Sequence, residues 1–180
     1  FGTQMEAEAR EAYCLERMVS CKEVGLCTHF DIDDFASSPD GLIVEDDKKI
    51  ALEIKCPTQA VFMRYSTEIT DNESLLSVKP EYFYQCMAHM MCTGASRTDF
   101  VVYSPWQYKP LHIVPILPDE YIFGQMEERI VKANEIINNI IIFILNNSKF
   151  INNYIRNILL KYTIIRINIF IFYFFNRHIS

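Results

Sequence analysis

The sequence predicts an α/β fold in which a mixed central β-sheet is flanked by helices. Two observations carry this. Short apolar or alternating runs at residues 42 to 55, 98 to 104 and 111 to 117 read as strands. Segments with apolar residues at helical spacing stand before, between and after them, at 3 to 20, 80 to 92 and 118 to 139. At 180 residues the chain is long enough for one domain with a sizeable core.

The elements can be justified in order. Met5, Ala9, Ala12 and Tyr13 form an apolar stripe on the opening helix, with Glu6 at its edge. Thr3 to Glu6 also fits a capping box, in which Glu6 reaches back to the Thr3 amide. A strand at 24 to 29 and a loop follow. Leu42-Ile43-Val44 and Ile50 to Lys55 then flank the polar segment Glu45 to Lys49, which reads as a β-hairpin. Gly41 is expected to free the backbone for a tight turn before the first of these strands. The polar stretch 64 to 79 is expected to be a mobile loop over the site. Pro80 opens the next helix and Gly94 closes it. Phe83, Met87, Met90 and Met91 are its core stripe, and Tyr82, Gln85, His89 and Cys92 its second face. Strands at 98 to 104 and 111 to 117 follow, then a helix whose Asp119 and Glu120 suit the positive end of its dipole.

The hairpin carries the chemistry. Alternation sends Ile50, Leu52 and Ile54 to one side and Ala51, Glu53 and Lys55 to the other, so the acid and the lysine share a face. Closing the hairpin brings Asp40, in Ser38-Pro39-Asp40-Gly41, toward Glu53. Two carboxylates held together repel unless a cation neutralises them, and such oxygen ligands suit Mg²⁺ or Mn²⁺. A lysine beside them can orient an attacking water and offset charge developing on phosphate oxygens. A Glu-x-Lys alone is a common solvated strand edge; the Ser-Pro-Asp-Gly upstream and Cys56-Pro57 after it make the phosphodiesterase reading the better one.

The order Ser38-Pro39-Asp40-Gly41 … Leu52-Glu53-Ile54-Lys55-Cys56-Pro57 resembles the PD-(D/E)XK nuclease signature, in the form found in the phage lambda exonuclease and YqaJ-type viral recombinase family. Gly2 to Glu6 with Ala9-Arg10 and Tyr13 resembles that family's opening helix, and Tyr84-Gln85 to Gly94 its glutamine-bearing helix. Asp99 to Pro105 and Leu111 to Val114 resemble the two strands that follow, so the likeness covers roughly residues 1 to 135. It implies a restriction-endonuclease-like core and a Mg²⁺-dependent exonuclease, with Mn²⁺ as substitute, degrading the 5′ strand of duplex DNA ends in phage-type recombination. It further implies Asp40, Glu53 and the Ile54 main-chain carbonyl as metal ligands, Glu6 at the metal through water, and Lys55 as catalytic lysine. Gln85 would help place the attacking water, and Ser38 would contact the 5′ phosphate. The family also implies a homotrimeric ring, a single-strand annealing protein as partner, and the cytoplasm of a bacterial host. Where relatives often carry a second glutamine, this chain has Met87. Gln85 also fits an ordinary hydrogen-bonded side chain on a half-buried helix, and His89, without metal-ligand spacing, reads as structural. An endonuclease of the same superfamily, or a truncated remnant that binds DNA or partners without cutting, are the alternatives.

Composition supplies the counterweights. Net charge is −6, and because residues 136 to 180 hold five Lys or Arg and no acid, residues 1 to 135 carry 12 basic against 23 acidic side chains, a net of −11. Counterion release from phosphates needs local positive charge, for which Lys48, Lys49, Lys55, Arg64, Lys79 and Arg97 are the candidates. Six cysteines without a C-x-x-C pair argue against a zinc or iron–sulfur site, and with no secretory signal visible the thiols are expected to be reduced. The start at Phe1, directly at a motif, suggests a piece of a longer chain. From Ile136 the sequence becomes an Ile/Asn/Phe-rich tail, read as translated A/T-rich sequence outside the functional fold and as β-prone. Lys149, Arg156, Lys161 and Arg166 interrupt every stretch long enough to span a bilayer, so no membrane role is expected.

Overall fold

A computed structural model describes residues 2–45 and 47–147 of the chain. Helix α1 (Gly2–Arg17) is followed by the short strands β1 (Cys21–Lys22), β2 (Cys27–Thr28) and β3 (Ala36–Ser37), then by β4 (Gly41–Glu45) and β5 (Lys48–Lys55). Three helices, α2 (Gln59–Glu68), α3 (Asn72–Val78) and α4 (Pro80–Thr93), lead to β6 (Arg97–Tyr103), β7 (Leu111–Ile116) and α5 (Glu120–Asn147). The main sheet has the order β1-β4-β5-β6-β7; β5 and β6 are parallel and the other neighbours antiparallel. A parallel pair cannot be joined by a tight turn, and α2, α3 and α4 form the crossover. The expected mixed sheet between helices is the observed one.

Strand β5 sits in the middle, and alternation divides the core into two. Ile50, Leu52 and Ile54 pack with Ala9 and Tyr13 of α1 on one face. Ala51 turns to the other, where Phe62, Tyr65, Leu75, Phe83, Met87 and Met126 from α2 to α5 cover the sheet. Tyr13 also fixes α1 to β6 by a polar contact. Its hydroxyl donates to Asp99 Oδ2 at 2.6 Å, and Arg97 Nε donates to Asp99 Oδ1 at 2.7 Å. Asp99 is fully buried, so these donors replace the water it has lost.

Local signals explain the ends. Pro80 stands in the first turn of α4, and Gly94 ends it in the left-handed region at φ 67°. Asp119 Oδ1 accepts from the amides of Tyr121 and Ile122, so it caps α5. Gly41 serves differently from the expectation. Its φ is not left-handed; a Cβ there would collide with Cys21 Sγ and press on Leu52 Cδ1 at 3.2 Å. Close approach of β1 and β5, not a turn, requires the glycine.

Three expected elements are corrected. Residues 64 to 79 are not a mobile loop: they form the second half of α2 and all of α3, with Tyr65, Ile69 and Leu75 buried in the core. Asp71 and Ser74 make a reciprocal capping box for α3, so polar residues that suggested a loop are cap residues. The strand expected at 24 to 29 is reduced to the two residues of β2, which pairs with β3 apart from the main sheet, while the edge strand β1 lies ahead of that range at Cys21–Lys22. The last helix, expected to end at residue 139, continues as α5 to Asn147. Past residue 135, Ile136, Ile140, Ile142 and Phe143 are exposed, and Ile130 is the last core residue among those described. The tail from 148 to 180 and the side chain of Thr3, with its possible capping role, lie outside the described residues. Among the described residues no helix is long and apolar enough to cross a membrane.

Tyr13→Phe removes a buried donor to a carboxylate while preserving the ring, and should lower unfolding free energy by about 1.5–3 kcal/mol. Urea denaturation measures it; an unchanged midpoint would show that Arg97 alone satisfies Asp99.

Candidate active site

Two adjacent strands and one helix build the site. Gly41 pairs with Leu52, and this register carries Asp40 to Glu53. The Asp40 amide donates to Leu52 O at 2.9 Å, and Asp40 Oδ2 accepts from the Ile54 amide at 2.6 Å, so both main chain and side chain of Asp40 are anchored to β5. Glu53 is 3% exposed. It is not on a solvated strand edge, because α4 lies over that face. Glu53 Oε1 pairs with Lys55 Nζ, and Glu53 Oε2 lies 2.6 Å from His89 Nε2. The other ring nitrogen of His89 meets Ser37 Oγ. Lys55 Nζ also lies 4.8 Å from the centre of the Tyr82 ring, a favourable cation–π position.

Electrostatics follow from this crowding. Burial and then the facing Glu53 charge push the Asp40 carboxyl up to about 6. Burial alone would raise Glu53 too, but the hydrogen bond from His89 and the Lys55 charge reverse this and hold it down to about 2. For Lys55, burial opposes the charge, and Glu53 and Asp40 outweigh it, so its ammonium is held above the ordinary range. Glu6 acts on the same end of the site: its charge raises both Asp40 and the thiol of Cys56.

Asp40, Glu53, Lys55, Gln85 and Ser38 all line one cavity of about 330 Å³, with apolar walls from Leu26, Phe35, Ala88 and Met126. Ser38 is exposed at it. Gln85 Oε1 is buried without a hydrogen-bond partner. Such an atom costs free energy unless something outside the protein meets it, so the orphan oxygen argues against a purely structural Gln85. No group of three or more His, Cys, Asp or Glu side chains is arranged to hold a metal among the described residues; the acids that converge are the pair Asp40 and Glu53.

The structure therefore brings Asp40, Glu53, Lys55, Gln85 and Ser38 together and Glu6 near them. Ile54 enters through its N–H. His89, read from the sequence as structural, is found hydrogen-bonded to Glu53, a contact the sequence did not show. Its spacing four after Gln85 put it on the same helix face, but nothing in the sequence shows that the face meets Glu53. The basic residues expected to form a patch are largely engaged. Arg64 pairs with Glu68, Lys79 with Glu81, Arg97 with Asp99, and Lys49 donates to Thr93 O. The six cysteines are all free thiols.

A mixed sheet whose central hairpin presents two acids and a lysine defines a protein of the restriction-endonuclease-like fold. The chain belongs to the YqaJ-like viral recombinase domain family, whose family model matches residues 1–96. Solved structures agree. An alkaline exonuclease from Laribacter hongkongensis, LHK-Exo, is 32% identical with a TM-score of 0.61, over 73% of this chain and 63% of its own. Its complex with dAMP is 28% identical with a TM-score of 0.68, over 83% of this chain and 73% of its own. The chain thus spans under two thirds of the first of these structures. A comparison with curated proteins finds no match.

The sign of the Asp40 shift yields a stability test. A carboxyl raised from 3.8 to about 6 holds its proton more tightly folded than unfolded, so ionising it costs stability between those values and fully above them. In chelator, Asp40→Asn should therefore stabilise the protein by about 2–3 kcal/mol at about pH 8. The gain should vanish at about pH 4 and below. Urea melts at both pH values measure it; an equal effect at both would remove the electrostatic cause.

Proposed function

We propose that this chain is the core of a divalent-metal-dependent DNA exonuclease acting on duplex ends. The observation that carries it is the convergence of Asp40 and Glu53 with Lys55 and the unpartnered Gln85 oxygen in one cavity. Family membership and the likeness to an alkaline exonuclease support it.

The donor set fits a hard cation. Two carboxylates, one raised by burial and by the other's charge, are relieved by positive charge between them, and oxygen donors of this kind favour Mg²⁺, with Mn²⁺ as substitute. Asp40 and Glu53 would hold it, the Ile54 carbonyl would add a third oxygen, and Glu6 would act through water. A cation bound there supplies Lewis-acid polarisation of the phosphate and offsets charge on the leaving oxygen. The chain's own groups do the rest. Lys55 lies beside Glu53, where its ammonium can orient an attacking water and stabilise negative charge growing on the phosphoryl oxygens. Gln85 Oε1 can accept a hydrogen bond from that water and fix its direction. Ser38, exposed at the cavity, can donate to a terminal 5′ phosphate. With net charge −11 over residues 1 to 135, grip on DNA rests on the cation and on local contacts rather than on a long-range field. Polarity from 5′ to 3′, a homotrimeric ring, a single-strand annealing partner and a bacterial cytoplasmic setting are the family's pattern and belong to the same proposal.

The 180-residue chain with Mg²⁺ should digest linear 5′-phosphorylated duplex DNA and spare a closed circle, and Lys55→Ala should slow digestion by about 10²–10³-fold. Gel analysis of both substrates checks it. Cutting of the circle would turn the assignment to an endonuclease, and no cutting by folded protein with Mg²⁺ or Mn²⁺ would leave a non-cleaving binding domain.

A further inference from the structure

Glu53 is buried and both of its oxygens are engaged, Oε1 by Lys55 and Oε2 by His89. His89 is itself 4% exposed, and its second ring nitrogen meets Ser37, 8% exposed, on the neighbouring short strand β3. A carboxylate only accepts hydrogen bonds, so His89 Nε2 carries the proton of the bond to Glu53. With the ring neutral, Nδ1 is the acceptor and the Ser37 hydroxyl donates to it, which satisfies every polar atom of the chain Ser37–His89–Glu53. Three elements distant in sequence, β3, α4 and β5, are thereby locked at one carboxylate.

We propose that His89, oriented by Ser37, is a positioning residue for cation binding. It pins Glu53 Oε2 and fixes the carboxylate plane, leaving Oε1 for Lys55 and the cation. The inference rests on Asp40 and Glu53 being the metal-holding pair. It needs no change of charge on His89, because Nε2–H points to Glu53 in either protonation state. Groups that hold a ligand side chain in this way commonly contribute 10- to 100-fold to metal affinity.

The test is Mn²⁺ binding to the full chain, followed by the electron paramagnetic resonance signal of free Mn²⁺, with a thermal melt of each variant. Asp40→Asn should abolish binding. His89→Phe should weaken it about 10- to 100-fold, and His89→Gln, whose amide N–H can still reach Glu53, should recover most of the loss. Ser37→Ala should cost about fivefold, the worth of one neutral hydrogen bond. Wild-type affinity in folded His89→Phe and Ser37→Ala, with Asp40→Asn inactive in binding, overturns the positioning role alone. If His89→Phe does not fold, Ser37→Ala and His89→Gln decide: unchanged affinity in the first, or equal loss in the second and in a folded His89→Ala, overturns it. If Asp40→Asn binds like wild type, the metal assignment fails and the positioning role with it.

Discussion

A carboxylate in the centre of a two-sided sheet has lost its water, and everything around Glu53 answers that loss. Strand β5 is covered by α1 on one face and by α4 on the other, so little solvent reaches the side chain to replace it. An ion left alone in such a place costs several kcal/mol. Glu53 is kept by a lysine two residues along its own strand and by a histidine delivered from α4. The position of α4 is fixed in turn by Pro80 and Gly94 at its ends and by Phe83, Met87 and Met90 on its apolar side. Core packing thus sets the site's electrostatics: the same helix that buries the sheet supplies the donor that lets a buried acid stay ionised.

The two acids are deliberately unequal. Asp40 is raised and Glu53 lowered, although they face each other across one pair of strands. The difference lies in partners. Glu53 has a cation and an imidazole, whereas Asp40 has a single main-chain amide, from Ile54, on its carboxylate. Glu53 is therefore held toward its charged form, and Asp40 is pushed toward its protonated one.

Much of this was legible in the sequence because it is local. Asp40, Glu53 and Lys55 lie on one hairpin, and period-two alternation with a short turn is enough to set them on one face. The helix from Pro80 to Gly94 was legible from its punctuation alone. What was not legible depends on contacts between distant segments. His89 looks like any core histidine until β5 is placed beneath it. Ser37 sits on a strand too short to leave a pattern. Residues 64 to 79 misled because Asp71 and Ser74, polar in composition, serve as a cap, while Tyr65, Ile69 and Leu75 bury themselves. The reason for Gly41 was also tertiary: Cys21, from another strand, occupies the space a side chain would need.

The parallel pairing of β5 with β6 has a consequence for assembly. The β4–β5 hairpin closes over a short loop, so it can gather Asp40 and Glu53 early and cheaply in chain entropy. The crossover from 56 to 96 separates β5 from its parallel partner β6, and α4, which carries His89, lies within it. Non-local closures of this kind form slowly. The two acids are thus joined by a short-range closure, whereas the histidine that meets one of them depends on a long-range one.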